Sequence, residues 1–350
     1  MIDDELLRIV GEYLGVSVAY RSRPARISGG FWASIHGFEV VGGPGDWQGQ
    51  LVLRVMPDTV AENRETVIQR AVAEQRFPTP VVLAAGFDEG IGGAFMIMPR
   101  ATGSSPMSGL ALGPSLVHLP ALLRELPRQL ADVAVALHAL DSFAVRAAVS
   151  ASAPDADPGG GPGVERRLAS VRSVAAPASG FVEVADWLQR HRPGALAQPD
   201  SHVVCHGDLH PFNVLVDDVG NVTVLDWTDA NLLPREFDVG FTAGLLRCAP
   251  ISVPAPLRPA LRRITDRLAR AFVERYASAA PLDLTMVAWF EVLQYGRCLA
   301  EVARTRAGLV AGTPVGTTHP FETSAVAMIR RLAELTGVTV MLPQRPVPTG

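Results

Sequence analysis

Lysine is absent from this chain: all 31 basic residues among its 350 are arginine. A GC-rich coding bias accounts for that together with the abundance of Ala, Gly and Pro, and it makes a guanidinium the only side-chain cation available to grip a phosphate. Cysteine is scarce. The three present, Cys205, Cys248 and Cys298, are odd in number and widely spaced, which excludes a disulfide framework or a zinc pattern and fits reduced, buried thiols. No apolar run reaches membrane-spanning length, because Pro and charged residues interrupt the Ala/Leu-rich region 109–140. A strong charge of either sign is missing too: a formal charge of -4 and an isoelectric point near 6.1 give no basic field for nucleic acid. The opening MIDDELLRIVGEYLG is acidic and helix-patterned, unlike a signal peptide. The expectation is a cytoplasmic protein with neither a nucleic-acid nor a membrane partner.

What is present is enough apolar material, 48% of residues, for a substantial core and for two lobes. The most informative stretch is HGDLHPFNVLVDDVGNVTVLDW, which begins at His206. Val214–Val216 and Val222–Leu225 are β-branched-rich runs separated by a turn at 217–221, so a hairpin is predicted with polar residues at its strand ends. Asn213 then starts one strand and Asp226 ends its partner. Transfer of a nucleotide γ-phosphate needs a carboxylate to orient and deprotonate the attacking hydroxyl, and oxygen ligands for the Mg²⁺ that bridges the phosphates. Asp208, Asn213 and Asp226 are candidates for those roles. His206, Asp208 and His210 also alternate, as ligands of a hydrolase metal would, but that reading leaves Asn213 and Asp226 without a task.

An HGD loop, an Asn five positions later and a strand ending in DW resemble the catalytic signature of the aminoglycoside phosphotransferase and choline kinase group of small-molecule kinases. The resemblance implies an α+β, bilobal protein-kinase-like fold, with a β-rich N-terminal lobe (1–100) and a mainly helical C-terminal lobe (101–350). It implies that Asp208 is the catalytic base, that Asn213 and Asp226 hold Mg²⁺, that His206 shapes the loop, and that Asp238 in PREFDVGF braces it. The co-substrate would be ATP or GTP, and the partner a small-molecule hydroxyl acceptor. Met98, Pro99 and Ala101 fall at the family's interlobe hinge (98–103), where the Pro99 carbonyl and Ala101 amide would meet the base. Gly29 and Gly30 fit a turn close to the phosphates, ahead of a strand bearing Arg54 and a helix bearing Glu65.

Here the chain departs from the family pattern, since Arg54 stands where the family carries a phosphate-binding Lys that pairs with a helix carboxylate, here Glu65. The guanidinium keeps the charge but replaces a compact ammonium by a planar fork. An alternative function follows: a nucleotide-binding pseudokinase with little turnover.

The remaining patterns predict a helix at 1–14, strands at 51–56, 81–85 and 94–98, and helices at 62–74, 119–140, 164–174, 181–191, 259–276, 285–306 and 321–337. APDADPGGGPG (153–163) reads as a flexible loop. Trp289, Phe290, Glu291 and Tyr295 share one helix, as a packing cluster or as an aromatic wall for the acceptor. Charge divides unevenly: 240–350 holds 13 Arg against 7 acidic residues, and 1–239 holds 18 against 28. A basic acceptor region disfavours a polycationic acceptor.

Overall fold

The computed structural model describes residues 2–27, 33–56, 59–107, 119–152, 161–251, 253–309 and 318–344. Along the chain run α1 (Ile2–Leu14), β1 (Ala19–Arg26), β2 (Ser34–Val41), β3 (Leu51–Met56), α2 (Thr59–Glu74), β4 (Ala84–Asp88) and β5 (Gly93–Pro99). Then come α3 (Leu119–His138), α4 (Ser142–Ser152), α5 (Gly161–Arg172), α6 (Phe181–Arg190), β6 (Val203–Cys205), β7 (Val214–Val216), β8 (Val222–Val224) and β9 (Asn231–Leu233). The chain continues with α7 (Glu236–Arg247), α8 (Arg258–Ala279), α9 (Leu284–Arg306) and α10 (Ala325–Thr336). Two compact units emerge. One comprises Met1–Gly113, Leu140–Pro158 and Pro211–Ala230, the other Pro114–Ala139, Gly159–His210 and Asn231–Gly350.

The first unit is built on an antiparallel sheet of order β1-β2-β3-β5-β4. Alternation along LVLRVM puts Leu51 and Leu53 into a core shared with Leu6, Ile9 and Val10 of α1. Arg54 therefore lies on the opposite face, paired in register with Met96, whose neighbours Met98, Ala94 and Met56 form a second core cluster. Gln69 of α2 fixes that helix by donating to the Pro80 carbonyl at 2.7 Å. The strand expected at 81–85 lies three residues later, at Ala84–Asp88. Of 81–83, Leu83 alone starts the pairing, through its amide to the Ile97 carbonyl.

The β7–β8 hairpin has the expected register, Val214 opposite Val224 and Val216 opposite Val222. Asp217 closes its turn: Oδ1 accepts from the Val219 and Asn221 amides at 3.0 and 2.8 Å, and Oδ2 accepts from the Asn221 side chain at 2.9 Å. The hairpin clusters with the sheet-bearing unit, and two backbone ties hold it there. Val224 donates to the Pro78 carbonyl at 2.7 Å, and Ser104 and Val216 exchange hydrogen bonds at 3.0 and 2.9 Å. Gly103 permits that second approach: its φ is 100°, and a Cβ there would meet the Val216 oxygen at 2.6 Å. Helix α4, which no sequence pattern announced, packs on α2, with the Asp141 amide donating to Gln75 at 2.7 Å.

The second unit is mainly helical around α9, with β6 and β9 as a short antiparallel pair. Trp289, Phe290, Glu291 and Tyr295 are all buried, which makes them a packing cluster. The Trp289 ring donates to the Leu188 carbonyl at 2.9 Å, and Glu291 accepts from Arg247 at 2.7 Å, Tyr295 at 2.9 Å and Arg331 at 3.1 Å. Residues 161–163, expected in the loop, open α5 instead; 153–160 lie outside the described residues. The last helix is shorter than 321–337, being preceded by a 3₁₀ turn at Pro320–Glu322 and ended by Gly337 with φ 74°. Among the described residues no single helix is long and apolar enough to cross a membrane.

Candidate active site

Two groups of functional side chains are assembled, one in each unit. In the first, the expected strand stops at Val224, so the DW pair lies just beyond β8, with Trp227 as its plug. The indole is fully buried, meets Phe77 edge-on with 5.7 Å between centroids, and donates to Thr79 Oγ1 at 2.8 Å. With Trp227 fixed inward, Asp226 is turned outward and keeps 44% of its side chain exposed. Its backbone is left-handed, φ 63°, a conformation that costs most L-residues about 1–2 kcal/mol and that Asp tolerates better than most. The Leu225 amide donates to the Asn213 carbonyl at 2.8 Å, so the residue before Asp226 is tied to Asn213 across the hairpin.

Arg54 reaches this end of the hairpin. Its Nη1 donates to Glu65 of α2, and its Nη2 donates to Asp226 Oδ1 at 3.1 Å and to Thr228 Oγ1 at 2.7 Å. The Thr228 hydroxyl lies 2.6 Å from Asp226 Oδ1 and 3.3 Å from Glu65 Oε2. Glu65 is buried and the Arg54 side chain is 12% exposed, so the fork is largely withdrawn from water. Burial alone would lower the Arg54 pKa, but the charges of Glu65 and Asp226 outweigh it and hold the guanidinium firmly protonated. Thr228 is a contact of both Arg54 and Asp226 that the sequence reading passed over. The signal available was a hydroxyl two residues beyond the Asp of the DW pair.

The second group surrounds the 203–210 segment. Strand β6 is short and fully buried, and it delivers the chain to Gly207, whose φ of 78° makes the turn possible. Asp238, in the first turn of α7, is completely buried beneath this loop. Its Oδ2 accepts the His206 amide at 2.7 Å and its Oδ1 the Gly207 amide at 2.7 Å; His138 Nε2 donates to Oδ2 at 3.1 Å, and Tyr276 lies 2.7 Å from the other ring nitrogen. Desolvation pushes the Asp238 carboxyl up, but the His138 hydrogen bond, the charge interactions with His138 and His206 and the Gly207 amide outweigh it and leave its pKa below the ordinary carboxylate range. His206 is buried and its Nδ1 accepts the Asp208 amide at 3.2 Å. The Asp208 side chain remains 31% exposed, with His210 Nε2 at 3.4 Å. His138 belongs to this network, a part that its helix position did not disclose.

No hydrolase-type metal trio forms from His206, Asp208 and His210. Among the described residues the His/Cys/Asp/Glu group close enough to share an ion is His138, Cys205 and Asp238. That group is engaged otherwise: Asp238 accepts the hydrogen bonds just described, and the Cys205 thiol, held well above its ordinary pKa by burial, points at the Leu233 and Pro234 carbonyls. The Asn213 amide and the exposed Asp226 carboxylate carry oxygen donors of the kind a hard cation takes. Met98 and Pro99 lie at the end of β5, with Ala101 two residues beyond; Gly29 and Gly30 lie outside the described residues.

An antiparallel sheet with a helix supplying Glu65 to Arg54, followed by a buried-Asp-braced loop and a DW hairpin, defines a protein-kinase-like phosphotransferase. The chain belongs to the phosphotransferase enzyme family, whose model matches residues 38–292. It is a phosphotransferase with an alcohol group as acceptor. Among solved structures it is similar to a protein from Ralstonia eutropha JMP134 named provisionally as an aminoglycoside phosphotransferase, at 20% identity and a TM-score of 0.65 over 96% of this chain and 98% of that one. It is also similar to a thermostable mutant of aminoglycoside phosphotransferase APH(4)-Ia in complex with ADP and hygromycin B (20% identity, TM-score 0.55, 95% and 98% covered). Spectinomycin phosphotransferase APH(9)-Ia, in complex with ADP and spectinomycin, aligns at 14% identity and TM-score 0.55 over 95% and 93%. These similarities show the fold. Among curated proteins none matches.

Proposed function

We propose that the protein moves the γ-phosphate of ATP or GTP to a hydroxyl of a small molecule, with Asp208 as base. The observation that carries this reading is the state of the Asp208 loop: its backbone is clamped by the buried Asp238 while the Asp208 carboxylate stays partly exposed. A base needs a fixed position and access to the hydroxyl it deprotonates, and the loop supplies both. Arg54, oriented by Glu65, sets its positive charge toward the phosphates. Asn213 and Asp226 would hold Mg²⁺, which when bound would offset the negative charge of the phosphates. In the proposed two-lobe arrangement, residues 98–103 receive the nucleotide base, with Pro99 contributing a carbonyl and Ala101 an amide.

The acceptor is proposed to be a neutral or anionic alcohol. Among the basic residues after 240, Arg297 and Arg306 pair with Glu301 and Glu322, and Arg247 and Arg331 share Glu291. Part of the surplus lies on exposed positions of α8, at Arg258, Arg263, Arg267 and Arg270. A polycation is poorly served by such a region. The direct test is a screen of antibiotics, sugars and amino alcohols with Mg²⁺ and labelled ATP or GTP, in which a neutral or acidic alcohol gains the label. Labelling of strongly cationic acceptors alone would overturn the substrate class, and labelling of none, with nucleotide bound, would favour the pseudokinase.

A further inference from the structure

We infer that Thr228 is a positioning residue that adapts this site to an arginine in place of a lysine. The inference rests on the proposed role of Asp226 for its catalytic meaning, but its geometry stands independently. An Nη2 nitrogen carries two hydrogens, and here they have two acceptors, Asp226 Oδ1 and Thr228 Oγ1, while Nη1 serves Glu65. The Thr228 hydroxyl has one proton of its own. Because it accepts from Arg54, that proton is free for the nearest carboxylate oxygen, Asp226 Oδ1 at 2.6 Å, rather than for Glu65 Oε2 at 3.3 Å.

Thr228 thus does two things. It gives the planar fork a neutral third acceptor, so that the guanidinium is not satisfied by carboxylates alone. It also donates to Asp226, fixing one carboxylate oxygen in a residue whose backbone is already left-handed. Holding that oxygen fixes the orientation of the Asp226 carboxylate. A lysine ammonium, a single point of charge on a different stem, cannot meet Glu65, Asp226 and Thr228 with the same spread of donors. From sequence alone Arg54→Lys looks like a restoration of the family's cation; the three-acceptor arrangement reverses that expectation.

The test is a double-mutant cycle on the full chain with Arg54→Ala, Thr228→Val and both, read in two ways: Mg²⁺-dependent nucleotide binding by calorimetry, and melting temperature without ligand. Thr228→Val is expected to weaken Mg²⁺-dependent nucleotide binding about tenfold, the scale of one lost hydrogen bond to a charged group. Nucleotide binding in EDTA should stay within about twofold, and in the Arg54→Ala background the same change should cost less than about twofold. Thr228→Ser, which keeps the hydroxyl, restores binding, and Arg54→Lys does not improve it. Circular dichroism checks each fold, with Thr228→Ala completing the cycle should the valine variant not fold. Equal losses from Thr228→Val in both backgrounds, in binding and in melting, overturn the inference, as does failure of the serine rescue. The ligand-free melting cycle separates this from the metal reading: coupling there with Mg²⁺ dependence unmoved by Asp226→Asn leaves Thr228 tied to Arg54 and removes only the metal role of Asp226.

Discussion

Two carboxylate networks lie in the two units, and they differ in what surrounds them. Asp238 is sealed: nothing of it is exposed, and its partners are two backbone amides and a buried histidine. Asp226 is 44% exposed and is held by an arginine side chain and a threonine hydroxyl. Backbone amides cannot swing away without remaking the loop, whereas side-chain donors can be traded for a ligand at modest cost. The sealed network suits a part that fixes geometry throughout a reaction cycle. The open one suits a part that exchanges protein contacts for metal and phosphate. On the proposed roles, burial separates the brace from the binding group although both are aspartates beside cationic or ring nitrogens.

The comparison is broken most readily by truncation. Asp238→Ala removes a buried acceptor and leaves two loop amides unmet, so it should cost about 3–5 kcal/mol of stability, as lost partners of buried charge networks do. Asp226→Ala, at a half-open site, should cost about 1 kcal/mol or less. Urea denaturation of the two variants measures the gap, and equal losses would erase the distinction.

The next effect lies in binding and not in stability. Asp226→Asn removes a charged oxygen ligand and is expected to raise the Mg²⁺ concentration needed for nucleotide binding by about tenfold or more while leaving the melting temperature nearly unchanged. A metal titration monitored by nucleotide affinity decides it; an unshifted Mg²⁺ dependence would remove Asp226 from the metal site.

A smaller effect sharpens the contrast through pH. The folded Asp238 pKa is depressed below its ordinary value, so its contribution is complete above the unfolded pKa of about 3.9 and is lost as pH falls through the lower, folded value. The stability advantage of the parent over Asp238→Asn should hold level from neutral pH to about pH 5 and shrink below about pH 4. Paired denaturation curves at several pH values check this. An advantage that grows on acidification would reverse the sign and contradict the hydrogen-bonded carboxylate.

Much of this was legible before any coordinates. The hairpin was written in Val214–Val216 and Val222–Val224, since β-branched residues flanking an Asp/Gly/Asn turn leave little choice of structure. Arg54 could be placed opposite Leu51 and Leu53 by strand alternation alone. Other features had no local signal. The three-residue strand β9 is defined by pairing with β6 across 25 intervening residues, and nothing in Asn231–Leu233 marks it as extended. The partnership of His138 with Asp238 joins positions 100 residues apart through tertiary packing. Thr228 was overlooked because a hydroxyl after a DW pair reads as ordinary turn chemistry until an arginine arrives at it. Helix α5 begins at Gly161, within a Gly/Pro-rich run that composition reads as loop, because Val164, Leu168 and Val171 are buried in the core around α9.

The most direct measurement compares the parent protein with Asp208→Asn on a hydroxyl acceptor identified by screening, following transfer of labelled γ-phosphate at saturating Mg²⁺ and nucleotide while nucleotide affinity is measured separately. Loss of the general base should cut transfer by about 10²–10⁴-fold with nucleotide affinity within about twofold of the parent. Transfer at near-parent rates by Asp208→Asn would show that Asp208 is not the base.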